Sequence, residues 1–98
     1  MEAVQSIDVV FRGGGDGLLV FAAVMSFRKP LNLNSTQFEY ALAELEKYIA
    51  IVKKLNLKNV RVSLFLLNGI HADAKNEILA RYRTVGIPVD IVAQIAGE

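Results

Sequence analysis

The amino-acid sequence predicts an α/β fold: a two-layer sandwich of order ββαβαβ, in which a four-stranded mixed sheet carries two helices on one face. Three observations predict it. Four segments alternate apolar residues with a period of two, as strands do, and two segments repeat them at steps of three and four, as amphipathic helices do. A glycine-rich turn joins the first two strands, whereas a helix precedes each later strand. The 98 residues are expected to form one domain, 1–98.

The first two strands are predicted to form a β-hairpin. Ile7, Val9 and Phe11 recur at every second position and therefore lie on one side of the first strand. Residues 13–17 include four glycines, which let the chain reverse, and residues 18–27 return as the second strand. Because this turn joins two strands and lacks the phosphate-loop spacing, a flexible hairpin is a better interpretation than a phosphate cradle.

The first helix is predicted to begin near residue 36. Thr36 and Glu39 fit a capping box, and Ser35 is the alternative cap. The apolar positions that form one side of the helix are Phe38, Leu42, Leu45, Ile49 and Val52. The helix is expected to close near Leu55, because two lysines precede that residue and Asn56 suits a left-handed stop.

The second half of the chain is predicted to continue as strand, helix and strand. Residues 60–67 alternate as a third strand, which Asn68 and Gly69 end. Residues 72–85 have an apolar helical side and are followed by a glycine and a proline. Residues 89–96 alternate again and form the fourth strand.

The crossovers predict the strand directions better than the strand order. Strand-helix-strand units close right-handed and parallel, so strands two, three and four should run parallel, with strand one antiparallel to strand two. The loop after residue 27 is long enough to pass over strand one, which favours the order 2-1-3-4. The apolar residues on both sides of strand two favour a central place for that strand instead. We expect the order 2-1-3-4.

The sheet face turned away from the helices is predicted to be apolar. Besides alternate residues of strand two, the face is expected to expose Val10, Phe65, Leu67 and Val92. A large contiguous apolar patch usually marks an interface. We therefore expect self-association or a protein partner at this face, unless Arg12, Arg61 and Gln94 shield it.

Side chains that usually carry chemistry are scarce. The chain has one histidine and no cysteine, so it can form no disulfide and no thiolate nucleophile. His71, Asp73 and Glu77 are the only cluster with metal-ligating side chains, but the acids suit local roles better: Asp73 at the helix start and Glu77 paired with Arg81. We expect no catalytic activity, metal or cofactor, and His71 is the acid-base candidate of an enzyme alternative.

Charge and hydropathy argue against nucleic-acid and membrane partners. The 11 basic and 10 acidic residues are interspersed and leave a net charge of +1, which gives no strong field for an anionic partner. The longest apolar run, residues 18–25, is too short to cross a bilayer, and Met1 is followed by an acid. A soluble protein without a targeting signal is expected.

Two resemblances bear on function. Residues 60–92, with the corner at 68–74, resemble the middle of the sulfate-transporter and anti-sigma-antagonist (STAS) domains. That resemblance implies a small module that binds a protein partner. The family's switch is a phosphorylated serine at the helix start, but Ala72 and Asp73 stand where its serines would be. The switch is therefore not carried over to this chain.

The second resemblance is to computationally designed α/β proteins. The helix residues 40–49 and the strand residues 58–64 look like the helix-to-strand passage of such designs. The helix cap, the helix stop, the turn residues and the apolar periodicity also all agree with one fold. This resemblance implies an artificial scaffold with no natural biochemical function. The alternative is a small interaction module that uses the sheet face or the corner at 68–73.

Overall fold

The computed structural model describes residues 5–13, 15 and 17–97, with residues 5–7 as backbone. The elements in chain order are β1 (Gln5–Arg12), β2 (Leu19–Ser26), α1 (Thr36–Lys54), β3 (Val60–Leu66), α2 (Ala72–Arg81) and β4 (Val89–Val92). β1 is antiparallel to β2, while β2, β3 and β4 run parallel in the same sheet. The predicted ββαβαβ fold and strand directions are confirmed.

The strand order is β1-β2-β3-β4, so the expected order 2-1-3-4 is wrong. The apolar character of β2 on both sides decides the order. Phe21 and Ala23 belong to the core beneath the helices, and Val20 and Ala22 are buried on the other side of the same strand. A central position covers both sets of side chains, whereas an edge position would leave apolar area in water.

Both helices lie on one face of the sheet. The two crossovers step in the same direction to the neighbouring strand, and right-handed crossovers then place their helices on the same side. A hydrogen bond from Tyr82 to Glu46 joins the end of α2 to α1 across this layer. The largest side chains buried completely in the core are Met25, Leu31, Leu45, Leu64, Ile70, Ile78 and Val62.

The ends of α1 lie close to their predicted positions. Ser35, not Thr36, is the N-cap: its hydroxyl oxygen accepts the backbone N–H of Phe38 at 3.1 Å. Leu55 is the C-cap, and Asn56 has a φ of 52°, the left-handed conformation expected at a helix stop. The sequence therefore located both ends of α1 to within one residue.

The later elements are shorter than predicted. α2 ends at Arg81 rather than at residue 85, because the chain turns at Tyr82. Val85 donates its N–H to the carbonyl of Tyr82 at 3.3 Å and packs against the core from this turn. The apolar periodicity of residues 72–85 therefore extends beyond the helix itself. β4 ends at Val92, and Ile95 forms only an isolated bridge.

The glycine-rich segment is the connection of a hairpin, as predicted. Gly13 donates its N–H to the carbonyl of Leu18 at 2.6 Å, which continues the β1–β2 pairing into the turn. Gly17 has a φ of 70°, a conformation that favours glycine. Gly14 and Asp16 lie outside the described residues.

Candidate interaction surface

The face of the sheet opposite the helices is the candidate interaction surface, and we call it the open face. The strand register assigns to it Val9, Phe11, Val20, Ala22, Val24, Arg61, Ser63, Phe65, Asp90 and Val92, with Leu67 directly after β3. Neither described helix covers these residues. Phe11, Val92 and Leu67 are 46%, 47% and 67% exposed. Phe65, Leu67 and Val92 therefore lie on the predicted face.

Val10 lies on the opposite face, contrary to that expectation. It pairs with Phe21, whose ring packs 5.5 Å from the ring of Tyr48 in α1. Val10 is nevertheless 54% exposed, because β1 is the edge strand. Alternation divides β1 into two sets of side chains, but only the pairing with β2 shows which set faces the helices. The expectation missed Val9 and Phe11, which the hairpin register places on the open face.

The open face has a floor of small side chains and a rim of larger ones. Ala22 and Ser63 pair with each other in the middle of the sheet and are buried, although no helix covers them. Larger side chains, including Phe11, Phe65 and Val92, lie around them. The surrounding side chains therefore cover these two small residues and form a mainly apolar surface.

Two opposite charges lie together at the rim of the open face. Nη1 of Arg61 lies 3.9 Å from Oδ2 of Asp90, and both side chains are about half exposed. Such an exposed pair adds little to stability and leaves both groups accessible to a partner. Arg12, which was expected to help shield the open face, lies on the helix side and donates a hydrogen bond to the carbonyl of Gly17 at 3.2 Å.

Asp8 ties the edge strand to α1 on the helix side. Nζ of Lys47 lies 3.0 Å from the Asp8 carboxylate and 2.8 Å from the Glu44 carboxylate. Burial opposes ionisation of Asp8, but hydrogen bonds from Lys47 and Tyr48 outweigh it and lower the pKa of this carboxyl. Hydrogen bonds to Glu44 and Asp8 raise the pKa of Lys47. Burial, followed by the hydrogen bond to Asp8, raises the pKa of Tyr48 to about 12.

A cleft of about 210 Å³ lies at the carboxyl ends of the parallel strands, where ligands of open α/β sheets usually bind. His71 lines it, together with Lys29 and the first residues of α1, but no lining residue described is acidic. His71 is the N-cap residue of α2, and its backbone N–H donates to the carbonyl of Leu31 at 3.0 Å. The cleft therefore brings no carboxylate to the one histidine.

The two acids that follow His71 have local partners. Oδ1 of Asp73 accepts the backbone N–H of Ala74 at 2.8 Å, and Glu77 pairs with Arg81 at 3.2 Å as predicted. Among the described residues, no group of three histidine or acidic side chains is arranged to hold a metal ion. The cluster seen in the sequence therefore does not converge on a common point.

Comparison with known proteins identifies no relative of this chain. No family model, curated protein or solved structure matches the chain. In the part of the chain described, no helix combines the length and apolarity needed to span a bilayer. The fold and the open face are therefore the features from which a function can be argued.

Proposed function

We propose that this chain is a self-associating protein-interaction module whose open face packs against the open face of a second copy. One observation carries the proposal: Phe11, Leu67 and Val92 remain about half exposed or more on a sheet whose other face is filled by the core. Val24 and Phe65, both half-buried, lie between them on the same face, and an apolar surface of this kind usually marks an interface.

The charges at the rim favour a second copy as the partner. A two-fold contact brings the same patch of both chains together. Arg61 of one copy can then pair with Asp90 of the other, and the reverse pair forms at the same time. A patch with charges of one sign would repel its own copy, whereas this rim carries one charge of each sign.

The side chains of the open face also allow it to pack against the open face of a second copy. Aligned sheets pack by interdigitating the side chains of their facing surfaces. Phe11 and Val92 remain about half exposed on this face, so they can interdigitate with the same side chains of the second copy.

The size of the open face sets the expected strength of this contact. Four strands about 4.8 Å apart and up to roughly 27 Å long give a footprint of roughly 450 Å². A stable interface buries about 800 Å² on each side. Face-to-face contact between two single copies is therefore expected to be weak and dependent on concentration.

Sedimentation equilibrium over a wide range of protein concentration tests the proposal. The wild-type mass is expected to rise with concentration, and the double substitution Phe65→Thr with Leu67→Thr is expected to reduce that rise. Leu55→Thr is the matched control, because Leu55 is 61% exposed but lies at the end of α1, away from the open face.

Two results would contradict the proposal. A mass that rises equally in the double variant would exclude the open face as the contact. A wild-type protein that stays monomeric at every concentration would instead support the expectation of an artificial scaffold without a partner.

A further inference from the structure

The outer edge of β1 is a second surface on which a partner can act. β1 is the last strand of the sheet on its side, and its pairing with β2 runs over residues 5–12 without a bulge. Edge strands are normally protected by proline, by a bulge, by a covering element or by charged side chains, of which β1 carries one of each sign, Asp8 and Arg12. β1 contains no proline, and Val9, Val10 and Phe11 are all exposed.

The pairing with β2 shows which backbone groups of β1 point outward. Hydrogen-bonded pairs alternate with non-hydrogen-bonded pairs along an antiparallel ladder. Gly13 donates to Leu18, so the odd-numbered residues of β1 direct their N–H and C=O groups toward β2. The N–H and C=O groups of Asp8, Val10 and Arg12 therefore point toward the outer edge.

We infer that β1 pairs antiparallel with β1 of a second copy, about a two-fold axis that passes through Val10. In this register Val10 lies opposite Val10 of the second copy, Val9 lies opposite Phe11, and Asp8 lies opposite Arg12. Each of the three outward-facing residues exchanges both of its backbone hydrogen bonds with its counterpart. The backbone pattern and the side-chain pattern of β1 thus agree on a single contact.

The charges of β1 select this register over its neighbours. Asp8 and Arg12 are placed symmetrically about Val10, so the pairing sets a carboxylate opposite a guanidinium at both ends. An axis through Asp8 or Arg12 would set like charges opposite each other. An axis through Val9 or Phe11 would leave both charged residues opposite an uncharged one.

The pairing also changes the size of the open face. The two-fold axis is perpendicular to the sheet, so both copies keep their helices on the same side and their open faces join into one eight-stranded surface. That surface has roughly twice the single footprint, about 900 Å², which reaches the area of a stable interface. This consequence rests on the proposed function, and it predicts a four-chain assembly of two such sheets packed face to face. The β1 contact itself does not depend on it.

Charge reversal tests the β1 contact. Asp8→Arg and Arg12→Asp each place like charges opposite each other at both ends of the paired strands, so each variant alone is expected to associate at least tenfold more weakly than wild type. An equal mixture of the two variants restores opposite charges at both ends and is expected to recover association. All samples, including the reference, carry Phe65→Thr and Leu67→Thr, so that sedimentation velocity measures the edge contact without the open face.

A backbone variant provides an independent measurement. Val10→Pro removes the outward N–H at the centre of the contact, and proline is tolerated on an edge strand where its missing N–H faces outward. Val10→Thr keeps the N–H and is the matched control. Circular dichroism and thermal unfolding establish that both variants fold, and only the proline variant is expected to lose edge association.

The outcomes separate the β1 contact from the proposed function. A mixture of the charge variants that associates no better than either variant alone, or equal association of Val10→Pro and Val10→Thr, would overturn the inference. Both contacts are supported if chains with an intact open face form an assembly larger than a dimer and if the face substitutions reduce that assembly to a dimer. A dimer that the face substitutions leave unchanged supports the β1 contact and contradicts the proposed function.

Discussion

The Tyr82 hydroxyl donates a hydrogen bond to the Glu46 carboxylate, with 2.7 Å between the two oxygens, and links the end of α2 to the middle of α1. The Tyr82 ring is buried in the core, so the hydroxyl is its polar end between the helices. Burial, followed by the hydrogen bond to Glu46, raises the pKa of Tyr82. Because α2 has only 10 residues, we expect tertiary contacts such as this one to hold it in place.

Replacing Tyr82 with phenylalanine tests this link. Tyr82→Phe is expected to lower the free energy of unfolding by about 1–2 kcal/mol, since a hydrogen bond to a charged group is lost while the ring stays in the core. Urea denaturation measures the loss. A double-mutant cycle with Glu46→Ala, which removes the acceptor, isolates the bond, and an equal effect of Tyr82→Phe with and without Glu46 would contradict it.

Gly69 is expected to tolerate no side chain. It has a φ of 87°, and a Cβ built there would lie 2.7 Å from the carbonyl oxygen of Gln94. Gly69→Ala must therefore adopt a left-handed backbone and displace the main chain, and we expect a loss of more than about 2 kcal/mol. Gly86 is the matched control: its φ is 84°, but among the described residues no atom outside its chain neighbours lies within 4 Å of its Cβ position.

Thermal unfolding compares the two glycine variants. Gly86→Ala keeps only the cost of the left-handed conformation, about 1 kcal/mol, so its melting temperature should fall less than that of Gly69→Ala. Equal melting temperatures would show that the backbone around Gln94 yields to the added methyl group.

The cap of α1 provides a third prediction. Ser35→Ala is expected to destabilise the protein by about 1 kcal/mol, because the backbone N–H of Phe38 loses its acceptor. Thr36→Ala should cost less, since Thr36 is already inside the helix. Urea denaturation of both variants checks the assignment, and the reverse order of stabilities would restore Thr36 as the cap.

Alkaline pH is expected to destabilise the fold through Tyr48. Burial and the hydrogen bond to Asp8 raise the pKa of Tyr48 from 10.0 to about 12. When folding raises the pKa of a group, that group stabilises the folded state fully at pH values below its pKa in the unfolded state. The contribution is lost as the pH rises through the pKa of the group in the folded state. The free energy of unfolding should therefore fall between about pH 10 and pH 12, with a Tyr48 contribution on the order of 2 kcal/mol.

Denaturation at a series of alkaline pH values measures this effect. Tyr48→Phe should reduce the slope but not abolish it, because the raised pKa of Tyr82 acts in the same direction. A slope in Tyr48→Phe equal to that of the wild type would contradict the prediction.

Most of the elements were predictable because their signals are local. The apolar periods located every strand and helix, and the cap and stop residues located both ends of α1. Periodicity failed at residues 82–85 and 93–96, where apolar side chains pack against the core from segments outside the regular helices and strands. A pattern of apolar residues records which side chains are buried, and it does not record whether the backbone beneath them keeps its hydrogen-bond ladder.

The sequence by itself determined the elements, their order and the strand directions, because one helix or strand carries its own period and crossovers have a fixed hand. The tertiary structure alone decided that β2 is central, that β1 is an edge, and that Val9 and Phe11 rather than Val10 share the open face. These properties depend on pairing between strands and on which arrangement buries both sides of β2. The apolar residues on both sides of strand two indicated a central place, but the loop after residue 27 also allowed the other order. The open face and the β1 edge could therefore be placed only after the sheet was assembled.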